Sequence, residues 1–261
     1  MSIVDLEVVE QGEVALVRFN RPEALNALNT QFAEDFDRVV DQLNEEEKIR
    51  AVLVTGEGRA FCAGGDLTEF RAAEDPKQFL HDLAGSVHKS VLKIRGMNAP
   101  WVAAINGACF GVGLSLACCC DFRIASTEAT FRVGFTGVGL APDSSLLYYL
   151  PKIVGLAKAT EMALLNTALS PEKALELGLV SKVVKPEKLM EEAFGIAKSL
   201  ASMPTLALGM DKKMLDASFS DTLEKHLDLE LECLTVSAGT ADFQEGCAAF
   251  FERRKPDFKG R

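Results

Sequence analysis

An uncharged stretch runs from Ala99 to Cys120, long enough on length alone to cross a membrane. Pro100, Asn106, Gly107, Gly111 and Gly113 interrupt it, so a single spanning helix is ruled out. The stretch divides instead into a buried strand over Trp101 to Ile105, a tight glycine turn, and a buried helix to Cys120. Glycine lets backbone approach a ligand closely, and the free N–H groups at a helix N-terminus carry partial positive charge, so the turn suits a negatively charged oxygen. The same turn also serves simply to pack a helix closely on a sheet, and the stretch alone leaves both readings open.

A second loop of small residues lies upstream. Ala51-Val52-Leu53-Val54-Thr55 reads as a buried strand and leads through Gly56, Gly58 and Phe61 into Cys62-Ala63-Gly64-Gly65-Asp66-Leu67. Before it, Asp5 to Val9 and Val14 to Phe19 read as a hairpin around Gln11-Gly12, and Phe32, Phe36, Val39, Val40 and Leu43 recur at helical spacing with Thr30 as the cap. Arg71 to Lys93 is helical with a polar opening at Glu74-Asp75-Pro76-Lys77, which suits a mobile wall of a site. A further strand follows at Phe122 to Ala125. From Gly155 onward helical patterns dominate, with one strand at Val180 to Val184. The boundary between a core of residues 1–203 and a helical region of 204–261 falls at Met203-Pro204.

Composition narrows the function classes. With 28 basic against 38 acidic residues and a net charge of −10, the chain lacks the basic face that a nucleic-acid partner needs. The acidic start Met1-Ser2-Ile3-Val4-Asp5-Leu6-Glu7 has no export signal, and the seven cysteines form no Cys-x-x-Cys pair, so buried free thiols in a reducing cytoplasm are expected. Cys118, Cys119 and Cys120 point about 100° apart on a helix and cannot converge on one metal. No P-loop, dinucleotide fingerprint or metal cluster is present.

The two glycine loops occur with Asn20-Arg21-Pro22-Glu23-Ala24-Leu25-Asn26-Ala27-Leu28 near the start and Phe251-Glu252-Arg253-Arg254-Lys255-Pro256-Asp257-Phe258-Lys259-Gly260 at the end. In that order the four motifs resemble the crotonase (enoyl-CoA hydratase/isomerase) superfamily over almost the whole chain. The resemblance implies an α/β fold, the ClpP/crotonase spiral of ββα turns with two near-perpendicular sheets and a C-terminal helical region, in trimers or dimers of trimers. The strand–strand–helix rhythm alone equally allows a doubly wound sheet. The resemblance also implies an acyl-CoA thioester substrate and no cofactor beyond its coenzyme A moiety. Its enolate oxygen would be held by the N–H groups of Gly65 and Val112, a form of stabilisation worth a few kcal/mol per donor. Coenzyme A would lie along Ala60, Ala63, Gly64, Leu67 and Gly111, with Glu23, Ala24, Phe251 and Lys259 nearby in this or a neighbouring subunit and Asp66 shaping the loop. The tail residues Arg253, Arg254, Lys255 and Lys259 also fit an ordinary solvated end.

The acid and base residues depart from the family's hydratases. Ser115 and Phe135 stand where those enzymes carry two glutamates, which argues against simple hydration. A carboxylate reappears at Asp143, a pattern similar to the ring-modifying enoyl-CoA isomerases of phenylacetate breakdown, in which one carboxylate suffices for a 1,3-proton shift. Asp143 also fits an N-cap for a helix starting near Ser144. By spacing, Asp143 and His88 fall on the nucleophile and histidine of the 4-chlorobenzoyl-CoA dehalogenases, although Phe135 replaces their ring-binding tryptophan; His88 equally fits the partly apolar face of Leu80, Val87, Val91 and Leu92. His81 and His226 match nothing in the family. The expectation is an enoyl-CoA isomerase working through Asp143; a dehalogenase-like hydrolysis, a hydratase with Asp143 as sole acid and base, and a non-catalytic acyl-CoA-binding protein are the alternatives.

Overall fold

The computed structural model describes residues 2–10 and 13–261. Strands β1 (Val4–Val9) and β2 (Val14–Phe19) pair antiparallel, and the expected Gln11-Gly12 turn between them lies outside the described residues. Strands β3 (Ala51–Gly56), β5 (Trp101–Ile105), β7 (Phe122–Ser126) and β9 (Lys182–Val184) then add in parallel, giving the order β1-β2-β3-β5-β7-β9. Three short strands, β4 (Ala60–Cys62), β6 (Ala108–Phe110) and β8 (Thr130–Arg132), form a second parallel sheet in that order. Each follows one strand of the large sheet, so the chain winds as a spiral of strand, short strand and helix. The short strands are absent from the sequence reading because three residues are too few to show a period.

Both faces of the large sheet are covered, which is why β3 and β5 read as continuous apolar runs rather than alternating ones. On one face Val14, Leu16, Leu53, Val102, Ala104 and Ile124 pack against Leu189, Ala193, Ala197 and Ala201 of α8 (Pro186–Ala201). On the other, Val17, Phe19, Val52, Val54, Ala103 and Ile105 join the main core with Phe32 and Phe36 of α1 (Thr30–Glu45) and with α3 (Pro76–Gly96) and α4 (Val112–Cys119). α1 is capped by Asn29, whose side chain accepts the Phe32 N–H at 2.9 Å; Thr30 is its first helical residue rather than its cap. The remaining helices are α2 (Leu67–Ala72), α5 (Leu146–Val154), α6 (Leu156–Leu165), α7 (Pro171–Glu176), α9 (Thr205–Ala217), α10 (Leu223–Ala238) and α11 (Ala241–Glu252). No helix is long and apolar enough to cross a membrane among the described residues.

The C-terminal helices are tied back by buried charges. Arg50 donates to the Met203 carbonyl at 2.7 Å and the Phe258 carbonyl at 2.9 Å, and Asp242 accepts the N–H groups of Lys259 and Gly260. Arg95 of α3 pairs with Asp121 at 2.7 Å and with Asp216 of α9 at 2.9 Å. The cysteines are all free thiols, and burial pushes Cys62 up to about 12 and Cys118 up to about 11, which keeps them neutral. Cys247 departs from the expected burial: it lies exposed on α11.

Candidate active site

The small sheet delivers the two glycine loops to one place. β4 ends in Cys62 and runs through Ala63, Gly64 and Gly65 into α2; β6 ends in Phe110 and runs through Gly111 into α4. Gly111 adopts φ 55° and ψ −126°, open only to glycine, and a Cβ there would lie 3.3 Å from the Gly64 Cα, so the loops abut. A Cβ on Gly113 would come within 2.3 Å of the Cys62 carbonyl oxygen, which fixes how tightly the first turn of α4 sits on β4. Among the described residues the N–H groups of Gly65 and Val112 have no hydrogen-bond acceptor, whereas the neighbouring Asp66 N–H donates to Leu28 and the Leu28 N–H to Gly64, each at 2.8 Å. Two unpaired donors therefore belong to residues that line the same space, one of them at the N-terminus of an eight-residue helix.

That space is a cavity of about 210 Å³, walled by apolar side chains including Phe70, Leu83, Val87, Phe110 and Phe135, with Ala63, Gly64, Gly65, Gly111 and Val112 at the donor end. Asp143 is the one ionisable side chain lining it among the described residues. Its Oδ1 is buried without a hydrogen-bond partner. Burial holds its carboxyl above the ordinary aspartate range, with Ser144 and His88 pulling the other way. Asp143 does not cap α5: the helix begins at Leu146, its N-cap is Ser145, and no side chain caps it. The carboxyl is instead set by the backbone that follows, where Ser144 and Ser145 take φ of 49° and 68°. Ser115 anchors this turn by donating from Oγ to the Asp143 carbonyl at 3.1 Å, and the Ser144 N–H donates to His88 Nε2 at 3.2 Å. Ser115 and Phe135, expected to stand where the hydratases carry glutamates, are thus a buried anchor and a cavity wall.

The other expected residues are more widely placed. Asp66 caps α2 and pairs with Arg21 at 2.7 Å; although burial pushes its carboxyl up, Arg21 and the Thr68 and Glu69 N–H groups bring it below the usual range. Leu67 is half exposed at the cavity rim, while Ala60 is buried in β4 with its carbonyl already accepting from Asn26 at 2.8 Å and Asn106 at 3.2 Å. Glu23 and Ala24 form a short 3-10 turn before the left-handed Leu25, outside the cavity lining. Phe251 and Lys259 are not brought to the cavity: Phe251 lines a separate groove with Phe243, Phe250 and Phe258, and the Lys259 ammonium pairs with Asp257 at 2.8 Å. His88 is exposed and outside the cavity lining. Asn26, fully buried at φ 55° and donating to Glu57 and Ala60, is a loop-setting residue the sequence reading missed; an asparagine amid apolar residues was its only signal.

The sequence profile described as Enoyl-CoA hydratase/isomerase matches residues 9–261. The chain belongs to the enoyl-CoA hydratase/isomerase family. It is 36% identical over 260 residues to 1,2-epoxyphenylacetyl-CoA isomerase of Escherichia coli (strain K12), covering 98% of both chains. It is 32% identical over 247 residues to 4-chlorobenzoyl coenzyme A dehalogenase-2 of Arthrobacter sp, covering 94% of this chain and 90% of that one. The solved structure of an enoyl-CoA hydratase from Bacillus anthracis superposes with a TM-score of 0.93 at 30% identity, covering 99% of this chain and 100% of that one. The fold is the crotonase fold, and the chemistry is of the hydratase/isomerase class acting on coenzyme A thioesters.

Proposed function

We propose that the protein is an acyl-CoA isomerase that moves a double bond of an enoyl-CoA, or rearranges an unsaturated ring, by proton transfer through Asp143. The observation that carries this reading is a lone carboxylate with an unpaired oxygen in an apolar cavity that also holds two unpaired N–H donors. With the thioester oxygen on the Gly65 and Val112 N–H groups, the negative charge of the dienolate is stabilised as it forms. Asp143 takes a proton from one carbon and returns it two carbons along. Apolar walls hold its pKa up, which strengthens it as a base and exclude water from the intermediate. Hydration by the two-glutamate route lacks both groups, since Ser115 is buried and bonded and Phe135 is apolar.

Coenzyme A would run from the cavity along Ala63, Gly64 and Leu67 toward Glu23 and Ala24, with no further cofactor. The exposed Leu215, Phe219, Leu223, Leu227, Leu231 and Leu234 of the C-terminal region suit burial between copies of the chain in a trimer or a dimer of trimers, which would also bring in Phe251 and Lys259. The test is incubation of wild type and Asp143→Asn with 3-enoyl-CoA, 2-enoyl-CoA and a halobenzoyl-CoA in deuterated water, followed by NMR and mass analysis. A double-bond shift with deuterium uptake, lost in Asp143→Asn, is expected. Halide release would overturn it in favour of nucleophilic attack by Asp143, and water addition in favour of hydration.

A further inference from the structure

We propose that His88 is a positioning residue: by accepting the Ser144 N–H it holds the left-handed Ser144-Ser145 turn that aims the Asp143 carboxyl into the cavity. This rests on Asp143 being the proton carrier. Three observations carry it. His88 Nε2 already accepts the Ser144 N–H at 3.2 Å, so that lone pair is engaged by backbone rather than turned to substrate. His88 stands exposed on α3, outside the cavity lining, so its route to the chemistry runs through the backbone of the residue next to Asp143. The turn it holds needs holding, because two consecutive serines sit at positive φ and the Ser145 Oγ has no hydrogen-bond partner to stabilise it.

The other attachments act on the opposite end of the same peptide. Ser115 Oγ and the Leu146 N–H both meet the Asp143 carbonyl, which leaves the peptide between Asp143 and Ser144 fixed at its oxygen by Ser115 and Leu146 and at its N–H by His88. Removing the histidine frees one end of that peptide, and its rotation would swing the carboxyl away from the substrate. Removing the Asp143 carboxylate would abolish the chemistry and leave the turn intact. The two residues are therefore separable by experiment.

The test compares His88→Ala, His88→Gln and Asp143→Asn for double-bond shift, with the Asp143 carboxyl followed in each folded variant that retains it by carbon-13 NMR titration. Glutamine can accept the Ser144 N–H through its side-chain carbonyl but cannot act as a base. His88→Ala should lower kcat by roughly 10- to 100-fold at near-unchanged KM, the scale expected when a catalytic group is slightly misplaced, and should bring the Asp143 titration down toward the ordinary aspartate range as the carboxyl swings into water, opposite to the rise that loss of His88's own pull would give. His88→Gln should restore kcat to within about threefold of wild type, since a positioning hydrogen bond is remade rather than a proton acceptor, and should restore the raised titration. If His88→Gln is as slow as His88→Ala while the Asp143 titration stays at its wild-type position in both, the histidine takes part in proton transfer and the proposal falls. It falls also if His88→Ala matches wild type in kcat and in titration. Full turnover in Asp143→Asn would sink the isomerase reading instead, while the titration of the His88 variants would still decide what holds the turn.

Discussion

The turns that open α4 and α5 both line the cavity, and both begin from a residue at positive φ. In the α4 turn that residue is Gly111, and the next contact, Gly113 on the Cys62 carbonyl, also depends on a missing side chain. In the α5 turn the residues are Ser144 and Ser145, whose left-handed backbone costs about 1 kcal/mol each relative to glycine. The glycine turn is held by contact and carries fixed backbone donors. The serine turn is held by hydrogen bonds from Ser115 and to His88 and carries a titrating group. Charge stabilisation needs donors that do not move as charge develops, whereas a proton carrier must serve two carbon atoms; packing suits the first and a strained, tethered loop the second.

Replacing the groups each turn presents separates their roles. Asp143→Asn should lower kcat by about 10³, within the range for loss of an acid–base group, while ligand-free stability at neutral pH rises. The sign follows from the raised pKa: stability from the neutral carboxyl is full at acid pH and is lost as pH climbs through the folded-state value, so the wild type weakens across that window and the variant does not. Thermal melts from acid to neutral pH check this, with a gain of roughly 2 °C for about 1 kcal/mol in a chain of this size. On the glycine side, Gly113→Ala sets a Cβ 2.3 Å from the backbone oxygen of Cys62. It should destabilise by about 2 kcal/mol, read from denaturant midpoints.

Smaller effects probe the tethers. Ser115→Ala removes one of the two donors to the Asp143 carbonyl and should cost about 1 kcal/mol in urea unfolding. It should also slow turnover several-fold without a change in KM, on the order expected for slight misplacement of a reacting group. Ser145→Gly should instead stabilise by about 0.5 kcal/mol, since it relieves a left-handed serine and removes a buried hydroxyl without a partner. A loss of stability in Ser145→Gly would show that the serine turn is not strained and would erase the contrast between the two turns.

The glycine turn was legible because its signal is local: apolar runs and glycines state both the elements and the close approach between them. The same locality exposed α1 and the dominance of helices after Gly155. The serine turn was not legible, since Pro-Asp-Ser-Ser is a fair helix-cap sequence, and the bonds to Ser115 and His88 that accompany the left-handed Ser144 and Ser145 come from residues distant in the chain. Asp143 and Gly65 lie far apart in sequence, and the cavity they share depends on the small sheet, which sets the ends of β4 and β6 side by side through a pairing whose register shifts between Ala60 and Cys62. The fixing of the C-terminal motif was hidden for a related reason: Lys259 is held through its backbone by Asp242, a contact invisible in a run of tail charges.

The order β1-β2-β3-β5-β7-β9 has a consequence for how the molecule is made. Spatial order in the large sheet is chain order, so each new strand finds its partner already present and no strand waits for one not yet synthesised. A chain emerging from the ribosome can therefore lay down one ββα coil on the last, completing the donor end of the cavity with α4 and adding the carboxylate only one coil later.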